Sequence, residues 1–232
     1  LLLRTLLDPK IAPLTITEPY QILGVLPVGG TYIHVRDRSI SSIEKAAGKK
    51  IAVLDWDKSQ TEIVNKIGGH PVPSNLSNFA GQFNNGQVDI IVAPAIVFRP
   101  FELNRGLGEN GGIYRLPLTQ MTASFVINRE KIKKQLPDLD DKLIAFRSIA
   151  EQFVDQMLNQ TYAWIDKAEA DIPAHYWLPV DPENEQKYAD MLRTARISMT
   201  KQGYYDPKMI ELLKRIRCKL NPERAECTQT EE

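Results

Sequence analysis

The sequence predicts an α/β fold, a largely parallel sheet followed by a helical C-terminal part. Between Thr31 and Pro94, short apolar or β-branched runs alternate with helical stretches, the rhythm of βαβ units. Beyond Asn128 the apolar residues instead recur at three and four, as on one face of a helix. A chain of 232 residues, 43% of them hydrophobic, can bury one sizeable core or two smaller ones.

Taken in order, Tyr32 to Val35 is the first strand, Ser41 to Ala47 a short helical piece and Ile51 to Leu54 a buried strand. A helix from Lys58 to Ile67 is stopped by Gly68 and Gly69, and Val72 lies on a short edge strand. A helix around Leu76 to Phe83 leads to the apolar strand Val88 to Ala93. The Gly-rich stretch Gly106 to Gly112 reads as a surface turn before Ile113 to Leu118 and the strand Ala123 to Ile127. Between Asp140 and Leu158, residues Leu143, Phe146, Ala150, Phe153, Val154 and Met157 form one buried face of a long helix. Asp181-Pro182 and Asp206-Pro207 each set an N-cap acceptor before a proline whose missing N–H costs nothing in the first turn, so two more helices start there. Lys214, Arg215, Arg217 and Lys219 gather near the end of the last helix, where cations oppose the helix dipole; that reading is preferred to a nucleic-acid patch. Past Leu220 the chain is a polar tail, expected to be mobile beyond Cys227.

Twenty-nine basic and 29 acidic residues cancel, so no global field argues for nucleic acid or an anionic membrane surface as partner. The longest candidate membrane stretch, Leu1 to Leu7, is broken by Arg4 and falls far short of the roughly 20 apolar residues of a spanning helix. Cys218 and Cys227, the only cysteines, are separated by eight residues, close enough for a local bridge in an exported protein; two unpaired cytosolic thiols are the alternative.

Gly106, Gly108 and Gly111 spell G-x-G-x-x-G, but a strand-like run follows them where a dinucleotide loop would open a helix, so a flexible surface turn is expected. Asp55-Trp56-Asp57 follows the strand Ile51 to Leu54, where side chains of open α/β sheets line a ligand crevice. Two carboxylates there suit a cation, and an indole suits an aromatic or sugar face; ordinary loop chemistry with Trp56 as a core anchor is the competing reading. His34, His70 and His175 are scattered, away from metal-ligand spacing, and read as turn or surface residues. No G-x-S-x-G elbow or Cys–His pairing points to a hydrolase. Neither a metal nor a cofactor is expected.

From Ser41 to Met157 the order of features resembles the solute-binding proteins of tripartite ATP-independent periplasmic (TRAP) transporters, in particular a divergent group of them. The resemblance rests on Ser41-Ser42-Ile43-Glu44-Lys45-Ala46-Ala47-Gly48-Lys49-Lys50-Ile51, on Gly68-Gly69-His70-Pro71-Val72-Pro73, on Asn85-Gly86-Gln87-Val88-Asp89, and on Phe125-Val126-Ile127-Asn128 with Leu136-Pro137. It implies a periplasmic-binding-protein-like (type II) fold whose N-terminal lobe is partly missing. Residues 1–30 would be a remnant of the first lobe, 31–127 the ligand-binding lobe, 128–220 a helical segment bracing and linking the lobes, and 221–232 a tail. It further implies a periplasmic, non-catalytic protein that captures a small solute between lobes and passes it to membrane transporter subunits. The ligand-facing set would be Asp55, Trp56, Asp57 and Ser59 from one loop, Ala93, Pro94 and Phe98 from another, and Gln120. The family's carboxylate-clamping Arg falls at Ala52 and its ligand-binding Asn at Ala93, so a neutral or cationic solute is expected over an organic acid. Two other readings remain: an envelope- or efflux-associated accessory protein with a degenerate pocket, and a metal-assisted hydrolase using Asp55 and Asp57.

Overall fold

The computed structural model describes residue 8 and residues 10–229. After a 3₁₀ turn at Ala12–Thr15 come strands β1 (Ile16–Thr17) and β2 (Tyr20–Val35), then β3 (Lys50–Leu54), α1 (Lys58–Lys66), β4 (His70–Ser74), α2 (Phe79–Asn84) and β5 (Ile90–Pro94). Next are α3 (Leu103–Leu107), β6 (Gly112–Tyr114), β7 (Thr119–Asn128), α4 (Arg129–Lys133) and α5 (Leu139–Ala170). The chain finishes with β8 (Trp177–Leu178), α6 (Pro182–Lys201), α7 (Pro207–Leu220) and a 3₁₀ turn at Ala225–Thr228. The connector expected within Leu1 to Ile11 lies largely outside the described residues.

Two compact units form, each from two stretches of chain. One combines the described residues up to Gly29 with Gln120–Glu169; the other combines Gly30–Thr119 with the chain from Ala170 onward. The structure therefore groups α5 with the early strands and α6 and α7 with the central sheet, a division that consecutive segments cannot express.

In the second unit the strand order is β4-β3-β5-β2-β6-β8. β3 runs parallel to β4 and β5, and β6 parallel to β8, but β2 is antiparallel to both β5 and β6. The α/β class stands, while the largely parallel sheet becomes a mixed one: strand direction depends on how the chain returns, which a local pattern does not carry. Pro71 and Pro73 sit on β4 at the sheet edge, where a missing N–H costs no ladder bond. On one face Ile33, Val35, Ile51, Val53 and Ile90 pack with Val64 of α1 and Tyr188 of α6. Asp181 and Asp206 cap α6 and α7, accepting hydrogen bonds from Asn184 N and Met209 N at 2.8 Å each.

The glycine-rich stretch is a surface turn only in its middle, where Gly108 to Asn110 are exposed; the glycines on either side are packed. Gly106 is buried within α3, where an added Cβ would come within 2.2 Å of Phe83, and at Gly111 it would lie 2.4 Å from the Leu107 carbonyl oxygen. These glycines let α3 close on α2 and the following chain on Val35.

In the first unit β1 and β7 both pair with β2. α5 runs 32 residues, longer than its apolar pattern suggests. Val154 is buried and Leu143 half-buried, but Phe146 and Phe153, expected in the same buried face, are 48% and 57% exposed. The cover reaches only the arc through Arg147, Val154 and Ile165.

Candidate functional site

β3, β4 and β5 are mutually aligned, so their C-terminal ends open on one edge of the second unit, the edge where open α/β sheets take ligands. Continuing the Ile51↔Ile90 register puts Leu54 level with Ala93 and Asp55 level with Pro94, while Leu54 pairs with Ser74 and Pro94 with Thr31. The loop leaving β3 is held on both sides: Asp55 N donates to Ser74 O at 2.9 Å, and Asp57 N to Leu54 O at 2.9 Å. Asp57 caps α1, its Oδ1 accepting from Ser59 N at 2.9 Å, Ser59 Oγ at 2.5 Å and Gln60 N at 3.3 Å. Its carboxylate, like the Ser59 hydroxyl, is thus occupied locally. Asp55 is exposed, and Trp56 is 58% exposed, so the indole is displayed at the strand end and is not a core anchor.

The other expected contacts are distributed unevenly. Ala93, Pro94 and Phe98 are all buried, Phe98 against Tyr176 with ring centroids 6.0 Å apart, so they form the wall behind the edge. Gln120 is an exposed residue of β7, in the first unit.

The sequence reading missed two groups. Trp177 of β8 takes the ring of Tyr32 edge-on at 5.1 Å and carries the Arg115 guanidinium 4.8 Å over its face. Positions 32, 115 and 177 meet only because β2, β6 and β8 are neighbours, so no local signal announces them. His34, expected at a turn or surface, is fully buried in β2 between Ile91 and Ile113. Its Nδ1 lies 2.9 Å from Tyr32 O, and its Nε2 has no hydrogen-bond partner among the described residues. Burial pushes the imidazole pKa down to about 4 against the opposing pull of the Tyr32 carbonyl.

Two further constellations lie elsewhere. In the first unit a cavity of about 280 Å³ is lined by Pro13, Ile16, Leu143, Ile144, Arg129 and Arg147. Arg129 there donates to Gln21 Oε1 and to Asp140 Oδ1 (2.7 Å), so its charge is already matched. In the second unit Cys218 and Cys227 form a disulfide. Beside it the buried Glu226 carboxylate meets Arg196 and Arg217 at 2.9 and 2.8 Å. Burial raises the Glu226 pKa, but the Arg217 hydrogen bond and the Arg217 and Arg196 charges together outweigh it, and the net direction is down.

This arrangement of sheet and helices is that of TRAP periplasmic solute-binding proteins. It superposes on the ectoine-binding protein of the TeaABC TRAP transporter of Halomonas elongata with a TM-score of 0.67, at 15% identity, over 84% of this chain and 62% of that one. A TRAP solute-binding protein of Desulfovibrio desulfuricans with bound sn-glycerol-3-phosphate gives 0.68, at 18% identity, over 88% and 62%. The chain belongs to the AdeT 1/2 solute-binding protein family, which it matches over residues 1–232. It is 43% identical to the "Probable solute-binding protein AdeT1" of Acinetobacter baumannii over 99% of this chain and 72% of that one. With AdeT2 of the same organism the identity is 29%, over 97% of this chain and 91% of the relative. The chain thus spans under two thirds of those solved proteins and 72% of AdeT1. Among the described residues no helix is long and apolar enough to cross a membrane.

Proposed function

We propose that the chain captures a small solute in the periplasm and presents it to membrane transporter subunits, catalysing no reaction. The solute is neutral or cationic rather than an organic acid, and the C-terminal edge of β3 supplies its contacts. The carrying observation is Trp56: a large aromatic, 58% exposed, in a loop whose backbone is fixed on both sides by Ser74 and by the α1 cap. An exposed indole on a rigid mount loses little entropy when it stacks on a ligand. Beside it the Asp55 carboxylate supplies negative charge, while Ala52 on β3 supplies no cation for a carboxylate. The solved ectoine-binding protein and the protein with bound sn-glycerol-3-phosphate support capture of a small solute, each as a statement about that protein; the second of these ligands is an anion, so the preference for a neutral or cationic solute rests on Trp56, Asp55 and Ala52 alone.

The test is a calorimetric titration of the chain with ectoine, a polyamine, a neutral amino acid and succinate. The expected result is saturable binding of a neutral or cationic probe, weakened at least about tenfold by Trp56→Ala or Asp55→Asn. The Trp56→Ala melting temperature should stay within a degree or so of the parent, because the ring buries little. Binding that survives both substitutions, or a preference for succinate, would remove the β3 edge as the site.

A further inference from the structure

We infer that the Cys218–Cys227 bridge is a redox-sensitive clasp: its reversible reduction by a dithiol lets the C-terminal 3₁₀ turn, Ala225–Thr228, open from α6 and α7 while the rest of the second unit keeps its fold. The turn has little of its own to hold it. Cys227 N donates to Arg224 O at 2.9 Å and Gln229 N to Glu226 O at 3.3 Å, bonds that stay within the segment itself. Among the described side chains from Asn221 to Gln229, Glu226 alone is buried. The anchor is therefore a charge and not an apolar group, and the desolvation of a buried carboxylate offsets much of what its ion pairs contribute.

That carboxylate joins three elements. It meets Arg196 of α6 at 2.9 Å, Arg217 of α7 at 2.8 and 3.2 Å through Nε and a terminal nitrogen, and Arg224 at 3.5 Å. Arg217 directly precedes Cys218, and Glu226 directly precedes Cys227. The bridge thus holds the carboxylate beside its guanidinium partners. It also confines the opened turn, which cannot leave the end of α7 while the sulfurs are joined. By the loop-closure relation, a separation of nine residues makes the opening equilibrium smaller by a factor approaching a hundred than in the reduced chain.

Opening is local because the helices are held elsewhere. α6 buries Tyr188, Ala195 and Met199, α7 buries Ile210, and Gln202 just beyond α6 donates to Glu62 of α1 at 2.8 Å. None of these contacts uses the turn. Both cysteines are half-buried and Asn221 to Arg224 between them are exposed, which leaves the sulfurs within reach of a small reductant. A thiolate of the dithiol attacks one sulfur and expels the other as a thiolate, forming a mixed disulfide. The second thiol of the reductant then displaces the remaining cysteine, so the chain gains two electrons and two protons and the dithiol leaves as a cyclic disulfide. The inference stands apart from the solute-capture reading, since it uses neither the β3 edge nor a ligand.

The experiment is amide hydrogen exchange of the whole chain, read by mass spectrometry on C-terminal peptides, with and without millimolar dithiothreitol, and with Cys218→Ser/Cys227→Ser alongside. Alkylation counts the thiols. On reduction, exchange at Cys227 and Gln229 should quicken at least about tenfold and return on reoxidation, while the amides of β3 and α6 keep their protection. The double variant should exchange as fast as the reduced parent and ignore dithiothreitol. Unchanged exchange in a chain shown to carry two free thiols would mean that the turn is held without the bridge, and overturns the inference. Loss of protection in β3 and α6 as well would make the bridge a staple of the whole unit, and failure of dithiothreitol to reduce the folded chain would make it inaccessible; either result overturns the inference too.

Discussion

His34 makes the stability of this chain depend on pH in a way that can be worked out from its surroundings. The ring is fully buried in β2, its strand neighbours are Ile91 and Ile113, and its pKa is lowered by burial from 6.5 to about 4. Since the folded pKa lies below the unfolded one, the unfolded chain takes up the proton first as pH falls. The His34 contribution is therefore intact above about pH 6.5 and is lost progressively as pH falls towards the folded pKa. At about 1.4 kcal/mol per pH unit, crossing that window removes about 3 kcal/mol, a large part of the 5–15 kcal/mol typical of a domain. The assay is urea denaturation at about pH 7.5 and about pH 4.5 for the parent chain, His34→Phe and His34→Gln. Other groups titrate in the same range, so the informative quantity is the difference between parent and variant in stability lost. Both variants should lose about 2–3 kcal/mol less than the parent. Equal losses, or a His34 ring that titrates near 6.5 by NMR in the folded chain, would refute the reasoning.

Two further expectations follow from local geometry. Asp57→Ala removes the acceptor for Ser59 N and Gln60 N and should destabilise by about 1 kcal/mol in a thermal or urea melt, whereas Asp57→Asn, which keeps an acceptor, should change little. Reducing the Cys218–Cys227 bridge, or replacing both cysteines by serine, should cost about 2–3 kcal/mol by the loop-closure relation for a nine-residue separation, read as a drop in urea midpoint that reductant does not deepen in the double variant.

Much of the fold was legible because its signals are local. The helix from Lys58, its stop at Gly68, the caps at Asp181 and Asp206 and the buried strand at Ile51 each depend on side chains within a few residues of one another. The placement of Asp55-Trp56-Asp57 at a strand end was legible for the same reason. What the three residues do there was not, because Asp57 turns inward to cap α1 while Trp56 turns out, and periodicity does not register that difference. The glycine triplet shows the opposite limit: its letters suggest a loose turn, which Gly108 is, and only the nearness of Phe83 to Gly106 and of Val35 to Gly111 shows close packing on either side.

By itself the sequence determined the α/β class, the order of the helices and central strands, the cap residues and a family resemblance resting on ordered short motifs. Those features follow from nearest-neighbour chemistry, dihedral preference and the period of apolar residues. Only the tertiary structure decided the antiparallel course of β2, the meeting of Tyr32, Arg115 and Trp177, the burial of His34 and the exposure of Phe146 and Phe153. Each depends on which distant segment lies alongside. An apolar periodicity shows that a face must be covered; it does not show what covers it.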